Sequence, residues 1–343
     1  MNRQISFSYL RVFSALAIIV LHTVSNASVY YRDVIPQTTY FLSSAVVRLL
    51  MWAVPCFVMA TGALLLDPNR NITIKKLYSK YVLRILLTIV FFFFVYQLCD
   101  FWINKEPFTV SEFLKAFLEM FNGQTWSHVW YLYLILGIYF LLPAYRLISA
   151  NASDTVMKYI LLIHLVFITV LPISTVFGVQ SAFYIHVSSV YPFYLFAGYA
   201  ISKGIIKIPR RVAVIIYLIA AALTVLFTYF YSKDESSAVH ILLGYNSLPV
   251  AIQSVCLFSL FNEIKNKDTK AEKVIEDIDL RTFGIYMVHP ILIRIAYKLM
   301  AINPYNDKLP AVLIFIILII LFSLLSYIIT RILQLIPGIR KIV

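Results

Sequence analysis

The stretch LRVFSALAIIVLHT, residues 10–23, decides how this chain is read. Arg11 and His22 stand near its two ends, with ten residues between them, nearly all apolar. Eleven helical steps of about 100° come to roughly 1100°, about 20° past three full turns. The two side chains therefore share one helix face, roughly 16 Å apart along the axis. An Arg inside an apolar membrane helix is costly and is usually kept for a function. The bland alternative is an Arg that snorkels at one end and a polar His near the other.

The rest of the chain is of the same kind. Of its 343 residues 61% are hydrophobic and 13% charged, with mean hydropathy +0.85. A soluble domain carries about 25% charged residues. Apolar runs recur from end to end, which predicts an all-α, polytopic membrane helix bundle. A membrane β-barrel would show short alternating segments instead. Hydropathy suggests about ten transmembrane helices, near 8–25, 38–66, 82–103, 128–146, 157–177, 186–202, 212–231, 245–262, 281–300 and 309–334. The first of these is expected to be a retained anchor, since Arg11 interrupts it and no cleavage motif follows. A single integral-membrane domain over 1–343 is expected, because no soluble segment is long enough to fold alone.

The net charge of +13 would suit a nucleic-acid binder, but its distribution argues otherwise. With alternating spans, the side bearing both termini holds 20 Lys/Arg and the opposite loops hold 6, whereas the acids split 8 and 8. The positive-inside rule then puts both termini in the cytoplasm, so the basic excess is a topology signal and no nucleic-acid partner is implied. Cys56, Cys99 and Cys256 are far apart, and no spacing suggests a metal site or a disulfide framework. In the longest outer loop, PFTVSEFLKAFLEMF (107–121) has the apolar spacing of an amphipathic helix at the interface, with Ser111 as its N-cap. The inner loop KNKDTKAEKVIEDIDLR (265–281) reads as a short solvated helix.

Six histidines occur, and His22, His128 and His289 have unusual surroundings. His128 opens span four, and His289 lies inside span nine, followed by Pro290. Taken alone, His289 reads equally well as a hydrogen bonder beside a proline kink. His164, His186 and His240 carry less weight. Histidine can accept and return a proton near neutral pH, or act as a covalent nucleophile. Arg48, in the outer part of span two, needs a counter-charge or carbonyls if buried, and Asp100 is a candidate partner. On the inner side, Lys76, Lys80 and Arg84 recur every four residues, as one helical stripe would. That stripe is either topology charge or a phosphate-binding patch at the cytoplasmic mouth, for which coenzyme A is a natural fit.

At these residues the chain resembles the acyltransferase-3 family of integral-membrane acyltransferases. Arg11 and His22, ten residues apart, follow that family's first-span pattern, and VPCFVMATGALLL (54–66) is similar to its "VP-FF-SGF" segment. KYVLR (80–84), SHVWYLYLILGIYFLLP (127–143), YPFYLFAGYAIS (191–202) and TFGIYMVHPIL (282–292) resemble its later segments in order and spacing. The pattern commonly has an Asp three residues before the first-span Arg, and here that residue is Ser8.

The resemblance implies transfer of an acyl group, usually acetyl from cytoplasmic acetyl-CoA, to a hydroxyl of a cell-envelope polysaccharide or lipid-linked sugar. It implies a multi-pass protein of the cytoplasmic membrane, of the stand-alone type, working within the lipid bilayer and compatible with a homo-oligomer. On this reading His22 deprotonates the acceptor or relays the acyl group, and Arg11 lies on the path between donor and acceptor. Lys76, Lys80 and Arg84 bind the CoA phosphates, and Arg48, His128 or His289 stabilises the oxyanion or orients the acceptor. Intramembrane Arg and His also suit a transporter or flippase, but no internal repeat of the kind such proteins carry is visible. A scaffold subunit of an envelope-synthesis complex is the third class.

Overall fold

The computed structural model describes residues 4–105, 109–121, 126–179, 183, 189–231, 237–306 and 309–343. Among the described residues every regular element is helical. The chain opens with α1 (Ile5–Tyr30), α2 (Gln37–Leu49) and α3 (Ala53–Leu65). A single turn, α4 (Ile74–Lys76), runs through a π-helical stretch, Leu77–Val82, into α5 (Leu83–Asn104). There follow α6 (Val110–Phe121), α7 (Trp130–Asn151), α8 (Asp154–His164), α9 (Tyr191–Ser202), α10 (Arg210–Tyr231), α11 (Ser237–Leu243) and α12 (Leu248–Asn262). The last helices are α13 (Lys270–Asp279), α14 (Thr282–Arg294) with a π turn at Ile295–Leu299, and α15 (Ala311–Leu333).

Eight helical stretches among the described residues are long and apolar enough to cross a membrane, and they coincide with eight of the ten expected spans. The other two fall outside that set for different reasons. α9 has 12 residues, about 18 Å of rise against a hydrocarbon core of about 30 Å. It is apolar all round and buried from Pro192 to Ile201, as a helix enclosed by other helices must be. α14 and its π turn run on together as Thr282–Leu299, 18 residues, long enough to cross but less apolar than the eight, with His289, Arg294 and Lys298 among them. The long helices expose rows of Ile and Leu, for example along α10 and α15, which only lipid can accommodate.

The chain divides into two compact units, Met1–Arg70 with Tyr145–Thr282, and Asn71–Ala144 with Phe283–Val343. The first unit is built on α3 and α9, whose backbones touch. A Cβ at Gly62 would strike the Leu195 carbonyl, and one at Gly198 would strike the Met59 carbonyl. Small residues at a crossing let two membrane helices gain close van der Waals contact. α1, α10 and α12 pack around this pair, and α13 lies on α1. At the end of α3, Arg146 donates to the Leu65, Asp67 and Arg70 carbonyls, and Lys203 pairs with Asp67 at 2.8 Å. Cations here satisfy the terminal carbonyls of the helix and its negative dipole end.

In the second unit the amphipathic loop helix forms as expected, at Val110–Phe121. Its cap is not Ser111, which lies inside the helix. The Glu112 N–H donates to the Thr109 hydroxyl at 3.3 Å, so the helix starts two residues earlier. Phe113 and Phe117 pack on Phe93 of α5, with ring centroids 5.6 and 5.7 Å apart.

Candidate functional site

The inner-loop helix α13 forms around a reciprocal capping box, with Glu272 N–H to Thr269 Oγ1 at 3.2 Å and Thr269 N–H to Glu272 Oε2 at 3.0 Å. It is not simply solvated. Its last residue, Asp279, turns inward and meets Arg11. The guanidinium grips the carboxylate with both prongs, Nε to Oδ1 and Nη2 to Oδ2, each at 2.6 Å. The Ser8 hydroxyl donates to Oδ2 at 2.9 Å. The Asp279 side chain is 1% exposed and that of Arg11 21%. The acid that the first-span pattern carries at position 8 is thus supplied from position 279, and Ser8 completes its hydrogen bonding. Arg11 is too costly to leave unpaired in α1, which has no acid of its own. The sequence holds sixteen acids, however, and no local signal marks Asp279 as the partner.

α1 is unbroken from Ile5 to Tyr30, so Arg11 and His22 do share a face. Between them on that face lie Ala15 and Ile18, both buried. His22 is half-buried, and Ser25 Oγ and Asn26 Nδ2 donate to its backbone carbonyl at 3.4 and 2.8 Å. Arg48 donates to the Leu243 carbonyl at 3.4 Å and lies 3.6 Å from Met51 Sδ. Its suggested counter-charge, Asp100, is held by Arg294 instead, with Nη2 2.6 Å from Oδ1.

His128 and His289 come together in the second unit, ring centroids 6.2 Å apart and exposed by 3% and 0%. Their hydrogen bonds assign the tautomers. His289 Nδ1 lies 3.0 Å from the Ile285 carbonyl, which can only accept. Its proton is therefore on Nδ1, and the lone pair of the neutral ring is on Nε2. This bond, to the carbonyl one helical turn back, sets the basic nitrogen. Tyr96 Oη–H donates to the Met287 carbonyl at 2.7 Å, so His128 Nε2, also 2.7 Å from Oη, is the donor in that contact. Tyr286 Oη–H donates to the His128 carbonyl at 2.5 Å. Each imidazole is held by a neighbouring helix turn or tyrosine, as an oriented acid–base group requires.

An aromatic and ionic cluster adjoins these histidines. The Trp126 indole N–H donates to Asp100 Oδ2 at 2.8 Å, the Tyr96 ring stacks on the indole at 4.4 Å, and Arg294 lies 4.7 Å from the indole centroid. The indole is thus in contact with both the tyrosine ring and the guanidinium. Asp100, Trp126 and Arg294 line a cleft of about 410 Å³. Tyr96, Trp126 and Arg294 were not legible as a set, because they come from three segments separated by many residues.

Lys76, Lys80 and Arg84 do not continue a single α-helical register, since the π-helical stretch Leu77–Val82 widens the coil between them. Each leans on a different neighbour. Lys76 Nζ donates to the Asn71 carbonyl at 3.1 Å, Lys80 Nζ lies 5.9 Å from the Tyr81 ring centroid and Arg84 lies 5.0 Å from that of Phe283. His164 Nδ1 donates to the Ile160 carbonyl at 2.9 Å, His240 lies in α11, and His186 lies outside the described residues. Among the described residues no group of three or more His, Cys, Asp or Glu could hold a metal ion.

A family model described as an acyltransferase domain matches residues 4–331. No curated protein and no solved structure matches. The match runs from the start of α1 to the last turn of α15, so it takes in Arg11 with its acid, His22, and the paired histidines of the second unit. With eight helices among the described residues able to cross a bilayer, the chain is a multi-pass integral membrane protein, and it belongs to the acyltransferase-3 family of acyltransferases.

Proposed function

We propose that the protein moves an acetyl group from cytoplasmic acetyl-CoA to a hydroxyl of a cell-envelope glycan or lipid-linked sugar, in the cytoplasmic membrane. The observation that carries the reading is an acyltransferase-domain match over residues 4–331 in a chain with, among the described residues, eight helices long and apolar enough to cross a membrane. Lys76, Lys80 and Arg84, three cations within nine residues, favour a phosphate-bearing donor on the side of the positive loops. His22 takes the proton of the acceptor hydroxyl, and the oxygen attacks the thioester carbonyl. The tetrahedral intermediate collapses with loss of the C–S bond, and the imidazolium returns its proton to the departing thiolate. Arg11, fixed by Asp279, is a positioning residue that holds α1 and therefore the register of His22. Arg48 supplies a cation suited to an oxyanion, and His128 and His289 are assigned to acceptor orientation.

The test is O-acetyl content of surface glycans by NMR, with His22→Ala compared with the wild-type protein at equal membrane expression. The expected result is loss of acetylation, and normal acetylation overturns the role of His22. In the same assay series, Lys80→Ala/Arg84→Ala is expected to weaken acetyl-CoA affinity, and unchanged affinity returns those cations to topology alone. Transport of a sugar without acetyl-CoA would favour a flippase.

A further inference from the structure

The helix α6 is built the wrong way round for water. Glu112, Lys115 and Glu119 fall within about 60° of one another on its surface, and all three line the cleft of about 410 Å³. Val110, Leu114 and Leu118 lie on the opposite side, exposed by 70%, 56% and 65%. The flank between carries Phe113 and Phe117, seated on α5. A helix on a soluble surface buries its apolar stripe and exposes its charges. Here the apolar stripe lies away from the cleft, where acyl chains or the interface must cover it, and the charged stripe, with Glu112 and Lys115 exposed and Glu119 half-buried, faces the open cleft, where water or a polar ligand satisfies it. α6 is thus a lipid-bathed wall around a hydrophilic space.

The chemistry of that space is selective. In the lining three carboxylates, Asp100, Glu112 and Glu119, stand with Lys115 and Arg294, and a third cation, Lys298, donates to the lining Asn104. Asp100 and Arg294 neutralise each other at 2.6 Å, which leaves the wall formed by α6 negative. A phosphate or diphosphate seated against Glu112 and Glu119 would be repelled by them. Carboxylates and the Asn104 amide are instead strong partners for hydroxyl groups. The volume lies within the roughly 300–1,000 Å³ of small-ligand clefts. From its floor, Trp126 and Tyr96 lead by direct contact to His128.

We propose that this cleft is a water-filled vestibule that receives the acyl acceptor, and that Glu112 and Glu119 select a neutral polyhydroxyl sugar unit over a phosphorylated one. The inference rests on the acyl-transfer reading above and adds where the acceptor binds and which charge it carries. The test uses the full-length protein in lipid nanodiscs, with CoA release from acetyl-CoA measured against methyl glycosides of glucose, galactose, mannose and N-acetylglucosamine, and against glucose 1-phosphate. At least one neutral glycoside is expected to stimulate CoA release saturably, and glucose 1-phosphate is not. The isosteric pair Glu112→Gln/Glu119→Gln raises the half-saturating glycoside concentration about tenfold, the loss of a charge-assisted hydrogen bond, with the acetyl-CoA half-saturation unchanged. Leu118→Ala, on the lipid side, leaves both values as in the wild type. An unchanged glycoside half-saturation in the double variant, or equal stimulation by glucose 1-phosphate, overturns the vestibule. If acetyl-CoA binds but no glycoside releases CoA, the sugar vestibule falls and the donor reading stands. If acetyl-CoA does not bind, both fall.

Discussion

Replacing Asp279 by Ala removes the acid that the structure sets against Arg11, and the size of the effect follows from the geometry. Three hydrogen bonds are lost, two from the guanidinium at 2.6 Å and one from Ser8 at 2.9 Å. Breaking a buried pair by deleting one partner costs about 3–5 kcal/mol, because the other charge stays buried. Arg11 keeps 21% exposure, so water relieves part of that penalty, and the expected loss is about 3 kcal/mol. Position 8 offers a sharper check. The Ser8 hydroxyl already touches the Asp279 carboxylate, one helical turn before Arg11, so a carboxylate placed there reaches the same guanidinium. In the wild-type background Ser8→Asp adds a second buried carboxylate beside Asp279 and destabilises. In the Asp279→Ala background the same substitution restores the pair and stabilises. Reversible denaturant unfolding in micelles of all four proteins gives the coupling as a double-mutant cycle. Additive effects, or an Asp279→Ala loss below about 1 kcal/mol, would refute the pairing as the anchor of α1.

Two further outcomes follow from the first unit. Gly62→Ala and Gly198→Ala each drive a Cβ into backbone that cannot yield, so each is expected to cost about 3 kcal/mol in the same unfolding assay, the upper end for overpacking. Gly137→Ala, whose Cβ meets nothing, is expected to be neutral or stabilising by about 0.5–1 kcal/mol, and equal losses at all three glycines would dismiss close helix approach as the cause. The second outcome concerns pH. Partial burial works to raise the Asp67 pKa, but hydrogen bonds from Lys203 and the Asn69 N–H, with the charges of Lys203 and Arg146, outweigh it and hold the carboxyl below its usual range. A carboxylate with a depressed folded pKa contributes stability that is present above its unfolded value of about 3.9 and is lost as pH falls through the folded one. Unfolding of Asp67→Asn and the wild type should therefore differ at neutral pH and converge under acid, and a difference that grows on acidification would reverse the sign of the argument.

The spans show how far sequence reaches in this protein. Eight of the expected spans reappear as helices long enough to cross, because hydropathy over about twenty residues is a local sum that needs no partner. α9 was legible as apolar but not as short, since a helix buried on every side and one facing lipid have the same composition. The cap of α6 went to Thr109, not Ser111, because two hydroxyl residues two apart offer the same local signal and only the backbone path chooses between them. The shared face of Arg11 and His22 needed nothing but helical periodicity.

The constellations around those residues were of another kind. A buried charge states that a partner must exist, and says nothing of where in 343 residues it lies. Asp279 was hidden in a charged loop whose pattern reads as solvated, and it became the partner only when α13 folded onto α1. The tautomers of His128 and His289 depend on which carbonyl or hydroxyl each ring meets, and the inward charge of α6 depends on which of its faces meets α5. Sequence alone determined the membrane class, most of the crossing helices and the face shared by Arg11 and His22, because periodicity and hydropathy are properties of contiguous residues. Tertiary structure alone decided the counter-charge, the protonation geometry and the polar cleft, because each joins residues that only packing brings within 3 Å or so of one another.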